Sequence, residues 1–336
     1  MKEKYDIDFV VTWVDGNDEK WKKEKEKYAV NESKEKNKSD SRDVRYRDLG
    51  LLKYWFRSIE KFAPWVHKIY FITWGHIPTW LDTNNEKLVI VKHEDYMDKK
   101  FLPTFNSNAI EASMHKIKGL SEHFVYFNDD MYLLKPTKPT DFFKKGLPCD
   151  CMSLYPVIAK QRDGFYKKVN NNLEIINREF KFNDFLKENF SKIISLKQGK
   201  YLPTTLSLLH YNGFVGFCNF HIPISYLKST FEQVWQKESD ALEKTMSFKF
   251  RNNVESVNHW LFQYWQFATG NFVQRKSNFG KFLTTDSKKL YDIIKKQKYS
   301  TIVVNERYNN LDFEIVKNDL VEAFETILPE KSSFEK

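Results

Sequence analysis

Apolar residues along the chain follow two spacings. IDFVV (7–11), KIYFITW (68–74), LVIVKH (88–93) and FVYF (124–127) are short runs rich in β-branched and aromatic side chains, and they predict buried strands. Between these runs apolar positions recur every three or four residues. Leu52, Trp55, Phe56, Ile59 and Phe62 share one face of a helix predicted over 48–62, which Pro64 stops. Ile110, Met114 and Ile117 mark another over 108–119, closed by Gly119, and Asp18 can cap a helix starting near Glu19. Strands that alternate with helices predict an α/β fold with a mainly parallel, doubly wound sheet.

Past residue 140 the pattern loosens. The stretch 141–255 is rich in Lys, Asn and Phe, with helices expected near 183–196 and 225–250, and it reads as a helical insertion or lid. SVNHWLFQYWQFAT (256–269) presents a broad apolar helical face ended by Gly270, with a strand expected at 300–305 and a helix at 313–327. In open α/β sheets ligands bind beyond the carboxyl ends of the strands. Asp15 follows the first strand, Gly75 and His76 the second, and Asn128, Asp129 and Asp130 follow FVYF, so polar groups gather at one expected crevice.

Composition narrows the class. With 41% hydrophobic and 16% aromatic residues the chain is a folded protein, not a disordered or collagen-like one. No apolar run approaches the roughly 20 residues of a membrane span, and the charged start MKEKYDID lacks the apolar core of a signal peptide. A cytoplasmic location is expected. Three cysteines, two of them in Cys149–Asp150–Cys151, fit neither a disulfide framework nor a zinc site. A net charge of +9 favours anionic partners. The lysine excess at 20–38 alternates with Glu, however, and reads as a solvated helix and polar loop, so nucleic acid is not expected. The same stretch could touch anionic lipid.

Several segments carry candidate chemistry. Asp129 and Asp130 offer hard oxygen ligands for a divalent cation on a diphosphate, with a capping turn as the alternative. In TWVDGND, Gly16 permits close backbone approach to a ligand, and the following helix N-terminus suits phosphate. Neither a dinucleotide fingerprint nor a Walker loop is present. RDVRYRDLG (42–50) groups arginines that match phosphate oxygens or pair with neighbouring Asp residues. LPTFNSNAIEASMH (102–115) sets Asn106 and Ser107 at a helix cap, with Glu111 and His115 a turn apart. FHIP (220–223) and FRNN (250–253) contribute His221 and Arg251.

Taken together these segments resemble the Stealth family, bacterial capsular polysaccharide phosphotransferases related to the catalytic part of the animal lysosomal-enzyme N-acetylglucosamine-1-phosphotransferase. DIDFVVTWVDGND resembles the first family block. VRYRDLGLLKYWFRSIEKFAPWVHKIYFIT through PTFNSNAIEASMHKIKGLSEHFVYFNDDM resembles the second. FHIPISYL with FRNNVESVNHWLFQYWQFATG resembles the third, and PEKSSFEK the last. WGHIP departs from the pattern, since relatives often carry Asp or another small residue after the Thr.

The resemblance implies a Rossmann-like, GT-A-like sheet flanked by helices. Residues 1–140 would form the nucleotide-sugar-binding core, 141–255 a mostly helical acceptor region, and 256–336 the elements that complete the core. The implied reaction moves a hexose 1-phosphate from a UDP-sugar donor to a glycan acceptor and releases UMP. It further implies that Asp129 and Asp130 bind Mg²⁺ or Mn²⁺ on the diphosphate or position the acceptor, with Thr12, Trp13, Asp15 and Gly16 around the nucleotide. Arg45, Arg47 and Arg251 would neutralise phosphate, and Asn106, Ser107 and Asn128 would assist in binding. His221 would be the general base, with Glu111 and then His115 in support, and peripheral contact with the inner membrane or a capsule assembly complex would follow. The competing readings are a metal-dependent glycosyltransferase of similar fold that releases UDP, and a noncatalytic glycan- or nucleic-acid-binding protein.

Overall fold

The computed structural model describes residues 5–32, 39–40, 46, 49–159, 165–306 and 313–336. The first part of the chain forms β1 (Ile7–Thr12), α1 (Glu19–Glu32), β2 (Ser39–Asp40), α2 (Leu52–Phe62), β3 (Ile69–Thr73), β4 (Leu88–Lys92), α3 (Ser107–Ala112) and β5 (His123–Asn128). There follow β6 (Met131–Leu133), α4 (Pro139–Phe142), β7 (Phe143–Lys144), β8 (Leu147–Asp150), α5 (Phe165–Glu179), α6 (Phe182–Ile193) and α7 (Leu202–Ser207). The last part holds β9 (Ile224–Leu227), α8 (Lys228–Ser247), β10 (Arg251–Asn252), α9 (Trp260–Ala268), β11 (Val273–Gln274), β12 (Gly280–Thr284), α10 (Leu290–Lys295), β13 (Thr301–Asn305) and α11 (Phe313–Ile327).

A five-stranded sheet in the order β4-β3-β1-β5-β9 organises these elements, all parallel except β9, which runs antiparallel to β5. Period-two alternation feeds one apolar layer on each face. Phe9 and Val11 of β1 point into the layer that holds α2, α10 and α11, whereas Val10 joins the layer formed by α3, α5, α8 and α9. The mainly parallel α/β fold expected from the sequence is the observed one. A second sheet, β12-β13-β6, stands beside the first, and the chain enters it straight from β5 through the turn at Asp129 and Asp130.

Local boundaries differ from the pattern in two informative places. The expected helix 225–250 begins as a strand, because Ile224–Leu227 completes the edge of the central sheet before α8 starts at Lys228. The expected helix 108–119 ends at Ala112 and continues as a short 3₁₀ turn, Met114–Lys116, so Glu111 and His115 do not share a helical face. Asp18 behaves as expected, its Oδ1 accepting the Trp21 N–H at 2.8 Å.

Taken in chain order, the strands of the central sheet read third, second, first, fourth, fifth across it. The order reverses between β1 and β5, and in such sheets the crevice opens at the carboxyl ends of that pair. Thr12 and Asn128, the last residues of β1 and β5, are register partners across it.

Candidate active site

A cavity of about 750 Å³ opens at this switch point. Thr12 and Trp13 line it from the end of β1, and Asn128, Asp129 and Asp130 from the end of β5. Ser107 and Glu111 reach it from α3, Arg251 from β10 and His221 from the segment before β9.

Two of its carboxyl groups are held in unusual surroundings. Tyr126 Oη donates to Glu111 Oε1 at 3.1 Å and shares a second 3.1 Å bond with Thr12 Oγ1. Glu111 Oε2 is shielded from water and has no hydrogen-bond partner among the described residues. Burial pushes the Glu111 pKa up to about 7 against the pull of Arg251 and Tyr126, so this carboxyl is partly protonated at neutral pH. Asp130 is alike in kind. Its Oδ2 accepts from Asn305 Nδ2 at 3.4 Å, its Oδ1 has no partner among the described residues, and burial raises its pKa.

His221 faces Asp130 electrostatically, and burial lowers its pKa more than Asp130 raises it, with Arg251 lowering it further. The imidazole is therefore neutral near pH 7 and able to take up a proton. It sits at φ +49, a left-handed conformation that costs a non-glycine residue about 1 kcal/mol and that the surrounding packing maintains. Arg251 is aimed by Ser107, whose Oγ accepts from Arg251 Nε at 3.0 Å. Buried carboxyls, a neutral imidazole and a directed guanidinium around one concave space can bind a phosphorylated ligand and accept a proton from an attacking hydroxyl.

Comparison with known proteins adds the family. The family model for Stealth protein CR1, conserved region 1, matches residues 5–29, and that for Stealth protein CR2, conserved region 2, matches residues 45–149. The chain is 47% identical over 340 residues to the capsular polysaccharide phosphotransferase WcwK of Streptococcus pneumoniae, with 100% of each chain covered. It is 42% identical to the receptor polysaccharide phosphotransferase WefC of Streptococcus oralis, over 98% of this chain and 99% of the relative. The chain belongs to the Stealth family. It is accordingly an enzyme of the phosphotransferase class. Among solved structures the galactosyltransferase LgtC matches over 95% of this chain and 96% of its own, at a TM-score of 0.41 and 10% identity.

Within this Stealth protein several expected site residues lie off the cavity lining and bond to the chain itself. Asp15 and Gly16 are not among the residues lining the cavity. The Asp15 N–H donates to His76 Nε2 at 2.8 Å, and Asp15 Oδ1 accepts from Asn17 N at 2.8 Å. His76, left without a role by the sequence, thus secures the β1 loop, and its burial, which lowers its pKa, keeps Nε2 free to accept. Gly16 is needed for close packing against the chain's own backbone, since a Cβ there would lie 1.9 Å from the Tyr46 carbonyl oxygen. Asn106 is fully buried. It caps α3 by accepting from Asn108 N at 3.1 Å, and donates to the carbonyls of Thr245 and Phe248. His115 packs against Phe231 and Trp235, with ring centroids 5.7 and 5.9 Å away. Arg45 and Arg47 lie outside the described residues.

The cavity also holds residues that the sequence did not single out. Lys168 of α5 is buried in its wall, and His259, just before α9, bonds through Nδ1 to Tyr226 Oη at 3.1 Å. Burial drives the His259 pKa down to about 3, so it stays neutral. Asn305 ends β13. The strand-end rule that marked Asp130 would have marked Asn305 had it been applied to 300–305 as well.

Proposed function

We propose that the protein transfers a hexose 1-phosphate, such as N-acetylhexosamine 1-phosphate, from a UDP-sugar to a hydroxyl of a growing surface polysaccharide, forming a phosphodiester and releasing UMP. The observation that carries this reading is the meeting of Asp130, Glu111, Arg251 and His221 around one cavity at the switch point of a Stealth-family fold. The acceptor oxygen attacks the sugar-bearing phosphorus, the bond to the bridging oxygen breaks, and UMP leaves with the electron pair. His221 accepts the hydroxyl proton, and Arg251 balances charge on the transferring group. Partly protonated Glu111 presents a hydrogen-bond donor, not a full negative charge, to the diphosphate.

Among the described residues no group of three His, Cys, Asp or Glu could hold a metal ion. The residues nonetheless fit a hard cation whose shell the diphosphate completes, because Asp130 Oδ1 is sheltered and unpartnered beside Asp129. Asp129 and Asp130 would hold Mg²⁺ or Mn²⁺, which supplies neutralisation of diphosphate charge when bound. No described helix is long and apolar enough to cross a membrane. Action in the cytoplasm at the inner membrane face, where a lipid-linked chain or a capsule assembly complex would meet it, belongs to the same proposal.

The products decide the question. Purified protein given a UDP-sugar and acceptor should yield UMP and a glycan that gains phosphorus. Release of UDP, the outcome for attack at the anomeric carbon, would overturn this reading.

A further inference from the structure

A second cavity, of about 680 Å³, adjoins the first, and Asn219, Phe220 and Phe282 line both. The two differ in charge. Lys197, Lys200, Lys276 and Lys281 line the second, with no Asp or Glu among its described lining residues. The first, by contrast, carries Glu111, Asp129 and Asp130. All four lysines are exposed, and Lys197 is oriented by donating to the Gln274 carbonyl at 2.8 Å. Aromatic rings complete the wall. Tyr201 packs edge-on against Phe220 at 5.1 Å, and Phe282, 39% exposed, stands 5.4 Å from the His221 ring. Exposed rings of this kind pack against the apolar faces of sugars, and a cleft of one charge sign concentrates anions.

The shared wall fixes a direction. His221 lines the first cavity and faces Asp130 there, and its ring lies 5.4 Å from that of Phe282, which lines both cavities. A chain lying in the lysine-lined cavity and passing Phe282 therefore brings its next hydroxyl beside the His221 ring.

We propose that the second cavity is the cleft for the acceptor chain, and that its lysines hold a phosphodiester already present in the polymer while the next hydroxyl lies beside His221. This rests on the reaction proposed above, whose product carries such a linkage. Each exposed lysine contributes little alone, so recognition is collective and salt-sensitive.

The test is a binding titration without donor, using a hexose-1-phospho-6-hexose disaccharide, the neutral hexosyl-1,6-hexose, and a uronic acid disaccharide. The phosphodiester probe should bind about tenfold more tightly than the neutral one, with the advantage lost at high salt and in Lys200→Ala/Lys276→Ala/Lys281→Ala. In turnover that triple variant should raise KM about tenfold for a phosphodiester-bearing acceptor alone, without a change in kcat. Equal binding of the neutral probe to the unmodified protein, or equal binding of the uronate, would overturn the proposal. A loss of kcat with every acceptor would do the same. Since no donor or product enters the titration, absence of the preference in the unmodified protein at low salt refutes the cleft alone, and release of UDP in the turnover assay refutes the reaction.

Discussion

The two ends of the central sheet treat buried carboxyl groups in opposite ways. Near the start of β1, Asp8 is fully buried and fully served. Its Oδ1 accepts from Lys68 N at 3.1 Å and meets His67 Nδ1 at 2.8 Å, while Oδ2 accepts from Ser121 N at 2.7 Å. At the carboxyl ends of the strands, Asp130 Oδ1 and Glu111 Oε2 are equally sheltered from water but lack partners among the described residues. A buried carboxylate oxygen left unpartnered is costly, so the first arrangement ties loops to the sheet and the second is suited to a ligand that would complete it. Satisfaction of hydrogen bonds, more than burial, separates Asp8 from the two acids proposed to act on a ligand.

This contrast can be broken by experiment. The largest effect should come from Asp130→Asn, which is expected to lower kcat by about 10³-fold without lowering the melting temperature at neutral pH. A variant that melts early instead would make Asp130 a structural residue like Asp8. The converse substitution, Asp8→Ala, should cost about 3 kcal/mol in chemical denaturation, because three donors lose their acceptor, with kcat and KM of the folded fraction retained.

Glu111→Gln tests the contrast through pH. The folded-state pKa of about 7 lies above the ordinary 4.5, so the native state holds this proton more tightly and loses stability as pH rises from 4.5 to about 7. The amide should therefore stabilise the protein by about 3 kcal/mol at pH 8 and by nothing below pH 4.5, as read from denaturant midpoints at both pH values. A smaller effect concerns His221. Since its pKa is lowered from 6.5, the acid limb of kcat against pH should fall below that value, and His221→Ala should abolish the limb.

Sequence pattern and structure agree wherever periodicity is strong. The runs that became β1, β3 and β5 are buried on both faces and therefore almost wholly apolar, and the helical stripe Leu52–Phe62 is broad enough to stand out. β9 escaped notice because Ile224–Leu227 passes into α8 with no turn residue between them. The acid pair was legible through the strand-end rule, whereas Glu111, His221 and Arg251 were legible as residue types and drew their expected roles from the family resemblance. What the sequence could not distinguish was a polar residue facing a ligand from one facing its own chain. Asn106 and Ser107 are neighbours at one cap, yet the first is consumed by the carbonyls of Thr245 and Phe248 and the second directs Arg251. That distinction depends on contacts more than a hundred residues apart.

The pairing of Thr12 with Asn128 has a practical corollary. One rim of the cavity is the last rung of the innermost strand pair, which cannot loosen while β1 and β5 remain paired. Enzymes whose sites sit on independent loops can lose turnover well before they unfold. Here heat or denaturant should remove turnover and the circular dichroism of the sheet along one and the same curve.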